Sequence, residues 1–139
     1  MTGKSFFERT GYCLLLVVLL TCIGCNSKAK QYSFSGNVTY NGTPVPYGSV
    51  VFTPDSSRGT VGTQVVAAIE DGRYSLTAVN GLVAGYYSVE VSGLHNMREG
   101  DSGPVADTLF ENQRESVEVQ PDALTRDFNI EGTAIEVKK

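Results

Sequence analysis

Tryptophan is missing from this chain, histidine occurs once, at His95, and all three cysteines fall within the first 25 residues. Each scarcity excludes something. A zinc site draws on several His, Cys or acidic ligands at close spacing, and His95 has no second imidazole or neighbouring thiol to join it. Nucleophilic catalysis needs a nucleophile beside a base that a third group orients, which a single histidine among scattered carboxylates does not suggest. A sugar-stacking platform leans on exposed aromatics, tryptophan above all. Basic residues are also few, 11 against 15 acidic ones for a net charge of −4. Nucleic-acid binding asks for clustered Lys and Arg, so no nucleic-acid partner is expected, and no cofactor. An enzyme is not expected either.

Long apolar runs are equally scarce, and there is one, Tyr12 to Gly24. It falls short of the roughly 20 apolar residues that span a bilayer. With Lys4 and Arg9 before it and small residues at its end, it reads as the apolar region of a signal peptide. The ending "IGC" resembles the lipobox of bacterial lipoproteins, although Cys22 stands where that motif usually has an aliphatic residue. The resemblance implies cleavage after Gly24 and acylation of Cys25, so that membrane lipid becomes a partner through Cys25. An ordinary secretory signal cut nearby is the alternative. Cys13 and Cys22 leave with the signal, and a single remaining thiol forms no internal disulfide. The six residues "NSKAKQ" after Cys25 reach at most about 20 Å, so the folded part is expected close to its membrane.

The chain thus divides into a signal peptide over 1–24, a lipidated cysteine and short tether over 25–31, and one domain over 32–139. The mature chain keeps nine basic and 14 acidic side chains once Lys4, Glu8 and Arg9 are removed, a balance that suits solubility. Its pattern is all-β. "YSFSGNVTY" alternates with period two, placing Tyr32, Phe34, Val38 and Tyr40 on one face, and Gly36 on that face suggests a bulge. Asp71-Gly72 between "TQVVAAIE" and "RYSLTA" is a hairpin signal, because both positions tolerate positive φ. Tyr87, Val89 and Val91 point inward, as do Val117, Val119, Phe128 and Ile130. Ile135 and Val137 suggest a last short strand. About seven short strands predict an antiparallel β-sandwich with Phe34, Val51 or Phe52, Leu76, Val89, Val119 and Phe128 in its core.

Those residues resemble a family. "GNVTYNGTPVPYGSVVFTP" and "IEDGRYSLTAVNGLVAGYYSVEVSG" are similar to the carboxypeptidase regulatory-like domain, a transthyretin-like (Ig-like) sandwich found in short lipoproteins of planctomycete type. The matching elements are Val38, Asn41, Gly42, Pro44 and Val45, then Val50 and Phe52, then Asp71, Gly72 and Tyr74, then Gly85, Tyr87 and Val89. The match covers Phe34 to Gly93 and is looser beyond. It implies a fold and an accessory or adhesive role, since the zinc site of the carboxypeptidases lies in a separate domain.

Other motifs read as structure. "GDSGP", Gly100 to Pro104, resembles the nucleophile motif of trypsin-like proteases, but it is one glycine short, and His95 stands just before Ser102 instead of far upstream. A flexible turn is expected. The carboxylates of Asp55, Glu70, Asp71, Glu99, Asp101 and Asp107 match no known calcium-loop spacing. Gly93 to Glu115 lacks alternation and is longer than an ordinary loop, and loops of that length are usually functional or disordered. It is the candidate partner-binding loop, presenting Met97 and Phe110. Tyr86, which must face opposite to Tyr87, is the best exposed aromatic. Replacing that loop by a Gly/Ser linker is expected to leave the sandwich folded. Two functions are in view: an envelope binding or structural module that contacts a protein or glycan, and a small-ligand carrier with its cavity at an oligomer interface, as in transthyretin. Localisation at a cell or outer membrane, outside the cytoplasm, is expected.

Overall fold

The computed structural model describes residues 29–132. Cys25, the signal peptide and the strand expected at Ile135 and Val137 lie outside the described residues. Among the described residues ten strands run in chain order: β1 (Gln31–Tyr32), β2 (Phe34–Tyr40), β3 (Thr43–Pro44), β4 (Tyr47–Pro54), β5 (Val65–Glu70), β6 (Arg73–Leu76), β7 (Leu82–Val83), β8 (Gly85–Gly100), β9 (Gly103–Val119) and β10 (Phe128–Ile130). Three of them, β1, β3 and β7, are two-residue pairings at the margins. The remaining seven form one hydrogen-bonded path, β10-β2-β6-β5-β4-β8-β9, with β3 beside β2.

The path does not lie flat. β5 and β6 pair only at Ile69↔Tyr74 and Glu70↔Arg73, so the sheet parts beyond that hairpin. One layer is β10-β2-β6 and the other β5-β4-β8-β9. The rings show how far it folds over. β2 and β4 would stand about 14 Å apart in a flat sheet at the usual strand spacing. The Phe34 and Phe52 centroids are 5.7 Å apart, edge to face. Tyr40 of β2 stacks on Phe110 of β9 at 5.2 Å, although these strands are five places apart in the path. The result is an all-β sandwich.

Alternation decides what lies inside. Phe34, Val38, Val50, Phe52, Ile69, Tyr74, Leu76, Tyr87, Val89, Val91, Val119 and Phe128 are buried, which includes every core residue expected from the sequence, with Phe52 and not Val51 at its position. Asp71-Gly72 turns with φ of 49° and 76°, and Asn41-Gly42 with 49° and 79°, the two positive values of a type I′ hairpin.

Three expectations need correction. The pairing is not wholly antiparallel, because β10 runs parallel to β2, with Phe128 opposite Val38 and Ile130 opposite Tyr40. Gly36 is no bulge. It pairs in register with Tyr74, and a Cβ there would stand 1.7 Å from the Arg126 carbonyl oxygen. The glycine admits the segment that leads into β10.

The third correction is the largest. Gly93 to Glu115 is not a loop but the distal part of a long hairpin, β8 to β9, closed by a two-residue turn at Asp101-Ser102 between Gly100 and Gly103. Register shifts interrupt this ladder at Val91/Gly93, Gly93/Leu94 and His95/Arg98. Each extra residue reverses which face the following side chains take. Asn96 and Asn112, with φ of 51° and 54°, are the positive-φ residues in these irregular stretches. Period-two alternation disappears while the strand continues.

Candidate functional site

The ends of the sandwich are unlike. β1 pairs with β7 through Gln31↔Val83 and Tyr32↔Leu82, at the end where β2 and β8 begin. At the opposite end β4 supports β8 only as far as Tyr47↔Leu94. Beyond Leu94 the hairpin continues alone as a two-stranded arm. β8 has 16 residues, which at about 3.3 Å each carry the chain roughly 50 Å from the β1 end to the arm's tip.

A two-stranded ribbon is marginal in water without further support. Here the support is polar. Asp107, opposite His95, accepts from Asn96 Nδ2 at 3.1 Å and pairs with Arg98 Nη1 at 3.0 Å. Arg98 also donates to the Asn96 carbonyl at 3.2 Å. The side-chain hydrogen bonds from Asn96 and Arg98 hold the Asp107 carboxyl below its usual range. A depressed folded pKa gives stability that is present above the ordinary Asp range and lost as pH falls through the folded value. The arm's amides are therefore expected to lose hydrogen-exchange protection on acidification before those of β4 and β5 do. Asp107→Asn should remove that pH dependence. Unchanged protection in the arm down to the lowest pH at which the core survives would contradict it.

The sequence candidates divide across this geometry. Met97 lies on the arm, 48% exposed, within its last bulge. Phe110 is buried. Its ring lies over Gly93, where a Cβ would approach within 2.4 Å, and it belongs to the core with Tyr40. Tyr86 is half-buried on the outer face, and its ring is covered by the Arg58 guanidinium 3.5 Å from the centroid. Arg58 is held there by the turn that Asp55 caps, the Asp55 carboxylate accepting from the Ser57 amide at 3.0 Å. The structure therefore leaves Met97 exposed, seals Phe110 and caps Tyr86. It does not bring the three together.

"GDSGP" is the tip of the arm, and Ser102 is far along the ribbon from the His95↔Asp107 pair. His95 Nδ1 has no hydrogen-bond partner. No group of three or more His, Cys, Asp or Glu that could hold a metal occurs among the described residues. None of the helices there is long and apolar enough to cross a membrane.

One arrangement escaped the sequence reading. On the outer face of β10-β2-β6, Asp127 Oδ1 accepts from the Asn37 amide at 2.7 Å and from Asn37 Nδ2 at 3.0 Å. Thr39 donates to Asn129 at 2.8 Å, and Asn41 Nδ2 to the Gly132 carbonyl at 2.9 Å. Beside this ladder lies an open hollow of about 480 Å³ lined by Ser35, Arg73, Ser75, Thr125 and Asp127 among others. Below it the Tyr74 hydroxyl donates to the Arg126 carbonyl at 2.7 Å. Burial, and then the Asp127 charge, push the Tyr74 pKa well above its ordinary value. The signal was the polar alternate positions of "SGNVTYN" and "TRDFN", whose parallel pairing the sequence did not disclose. Compared with protein-family models, curated proteins and solved structures, the chain matches none.

Proposed function

We propose that this chain is a lipid-anchored protein of a bacterial cell envelope, acylated at Cys25, whose sandwich is a non-catalytic binding or structural module. One observation carries the reading most directly. The strand that follows the tether, β1, and the tip of the β8–β9 arm stand at opposite ends of the domain. A protein held at Cys25 would present its arm away from the membrane. The resemblance to carboxypeptidase regulatory-like domains supports the same class, an accessory module on an anchored chain. The exposed Met97 and Val105 of the arm are apolar contacts of the kind that protein interfaces bury at their centres.

The variant that tests this must be smaller than a replacement of Gly93–Glu115, which would remove Phe110 and much of the β8–β9 ladder. Excising residues 95–107 and closing the hairpin with Asn-Gly keeps Leu94, Thr108 and Phe110. This variant is expected to fold and to remain in the membrane fraction. It should lose the crosslinked adducts that the parent forms in intact cells. Adducts unchanged by the excision would remove the arm from the function.

A further inference from the structure

The end of the domain at which β1 begins carries two exposed apolar side chains that the fold does not use. Val61 is 84% exposed and Val79 is 81% exposed, the two most exposed large apolar residues among those described. They come from different loops. Val61 lies between β4 and β5, and Val79 in the 3-10 turn Ala78–Asn80. Both loops close at the end where β1 begins. Gln31, Thr63 and Val79 line one notch of about 320 Å³ there. The tether is fixed to the same place: at Gly81, two residues after Val79, a Cβ would stand 2.0 Å from the Tyr32 carbonyl oxygen. Val79 thus lies in the loop packed against β1, the strand that follows the tether.

Charge follows the same axis. Residues 56–64 and 77–84 contain no Asp or Glu. Lys30 lies over the Tyr32 ring, 5.1 Å from its centroid. Glu70, Asp71, Glu99, Asp101, Asp107, Glu111 and Glu131 belong to the opposite end or the arm, and Glu90, Glu115 and Asp127 to the middle of the strands, leaving Asp55, Glu118 and Asp122 near the tether among the described residues. The Asp55 carboxylate is turned to Ser57.

We infer that this end is a membrane-contacting surface, with Val61 and Val79 set at the headgroup layer and Lys30 facing anionic headgroups. The inference rests on the proposed acylation of Cys25. Six residues from Cys25 to Gln31 span at most about 20 Å, so the surface from which the tether leaves cannot stand far from the lipid. Exposed apolar side chains in two loop segments without acidic residues, at the end that also carries Lys30 and Arg58, fit the interfacial layer, where burial of apolar area and attraction to anionic lipid act together. The domain is then oriented as well as anchored.

The test uses the full chain expressed in its envelope and purified from membranes, with single cysteines at Val61→Cys, Val79→Cys and Ser102→Cys carrying an environment-sensitive fluorophore. In vesicles of phosphatidylethanolamine and phosphatidylglycerol, the labels at 61 and 79 should shift to the blue and lose quenching by aqueous iodide. The label at 102 should do neither. If 61 and 79 remain as accessible to iodide as 102, the inference is overturned. It is also overturned if they are shielded only in native membranes and not in pure lipid, because a protein would then cover them. The mass of the mature N-terminus, read on the same sample, separates the two ideas. Acylated Cys25 with both valine labels in water sinks the orientation and spares the anchor, and unacylated Cys25 sinks both.

Discussion

Phe52→Ala is expected to cost about 3–5 kcal/mol of folding stability, the usual range for emptying a buried phenylalanine site. Phe52 is fully buried at the middle of β4. Its ring meets Phe34 at 5.7 Å, Tyr74 at 6.0 Å and Tyr87 at 6.4 Å, joining the two layers of the sandwich. Edge-to-face pairs add roughly 0.5–1.5 kcal/mol beyond buried area, and alanine removes all of them at once. Set against the total of about 5–15 kcal/mol that holds a domain folded, the variant should be marginal at room temperature. Urea unfolding followed by circular dichroism measures it. Val66→Ala is the control, since Val66 is 57% exposed on β5, and surface changes usually stay within about 0.5 kcal/mol. Equal midpoints for the two variants would mean that the rings do not hold the layers together.

The same residues show why much of the fold was legible. Phe34, Phe52, Leu76, Val89, Val119 and Phe128 sit on strand segments where period-two alternation is unbroken, Val89 and Val119 in the part of the β8–β9 ladder that precedes its register shifts, and a half-buried segment cannot hide that pattern. Asp71-Gly72 and Asn41-Gly42 declared their turns because positive φ restricts the choice of residue. Legibility ended where pairing became non-local or irregular. The parallel neighbour of β2 comes from 90 residues away, and nothing in "FNI" states its direction. The β8–β9 ladder shifts register three times, so side chains change face and the strand looks like a loop. That error carried Phe110 to the surface, whereas its ring fills the space that Gly93 leaves open. Tyr86 was placed correctly on the outer face, but its cover, Arg58, lies 28 positions earlier on a separate turn. Val61 and Val79 drew no notice, since isolated valines in polar loops carry no period.

Cys25→Ser is expected to transfer the protein from the membrane to the soluble fraction almost completely. Each buried methylene contributes roughly 0.8 kcal/mol, one acyl chain binds only marginally and reversibly, and two or more hold stably. Lipoproteins of the kind this N-terminus resembles carry their chains on the cysteine, so a serine at that position removes every chain together. What remains at that end, Lys30, Val61 and Val79, is far weaker. A lysine near an anionic surface is worth about 1 kcal/mol, and two valines bury less than one acyl chain does. Those contacts orient a protein already held but do not hold one. The fold should be indifferent to the change, because the core of the described residues begins at Phe34. Fractionation of cells expressing each form, with the mass of the mature N-terminus read on the parent, measures this directly. The parent should show an acylated cysteine and sediment with membranes, and the serine form should be released with an unchanged β-type circular dichroism spectrum. A serine form that stays with the membrane would show that something other than Cys25 holds the chain there.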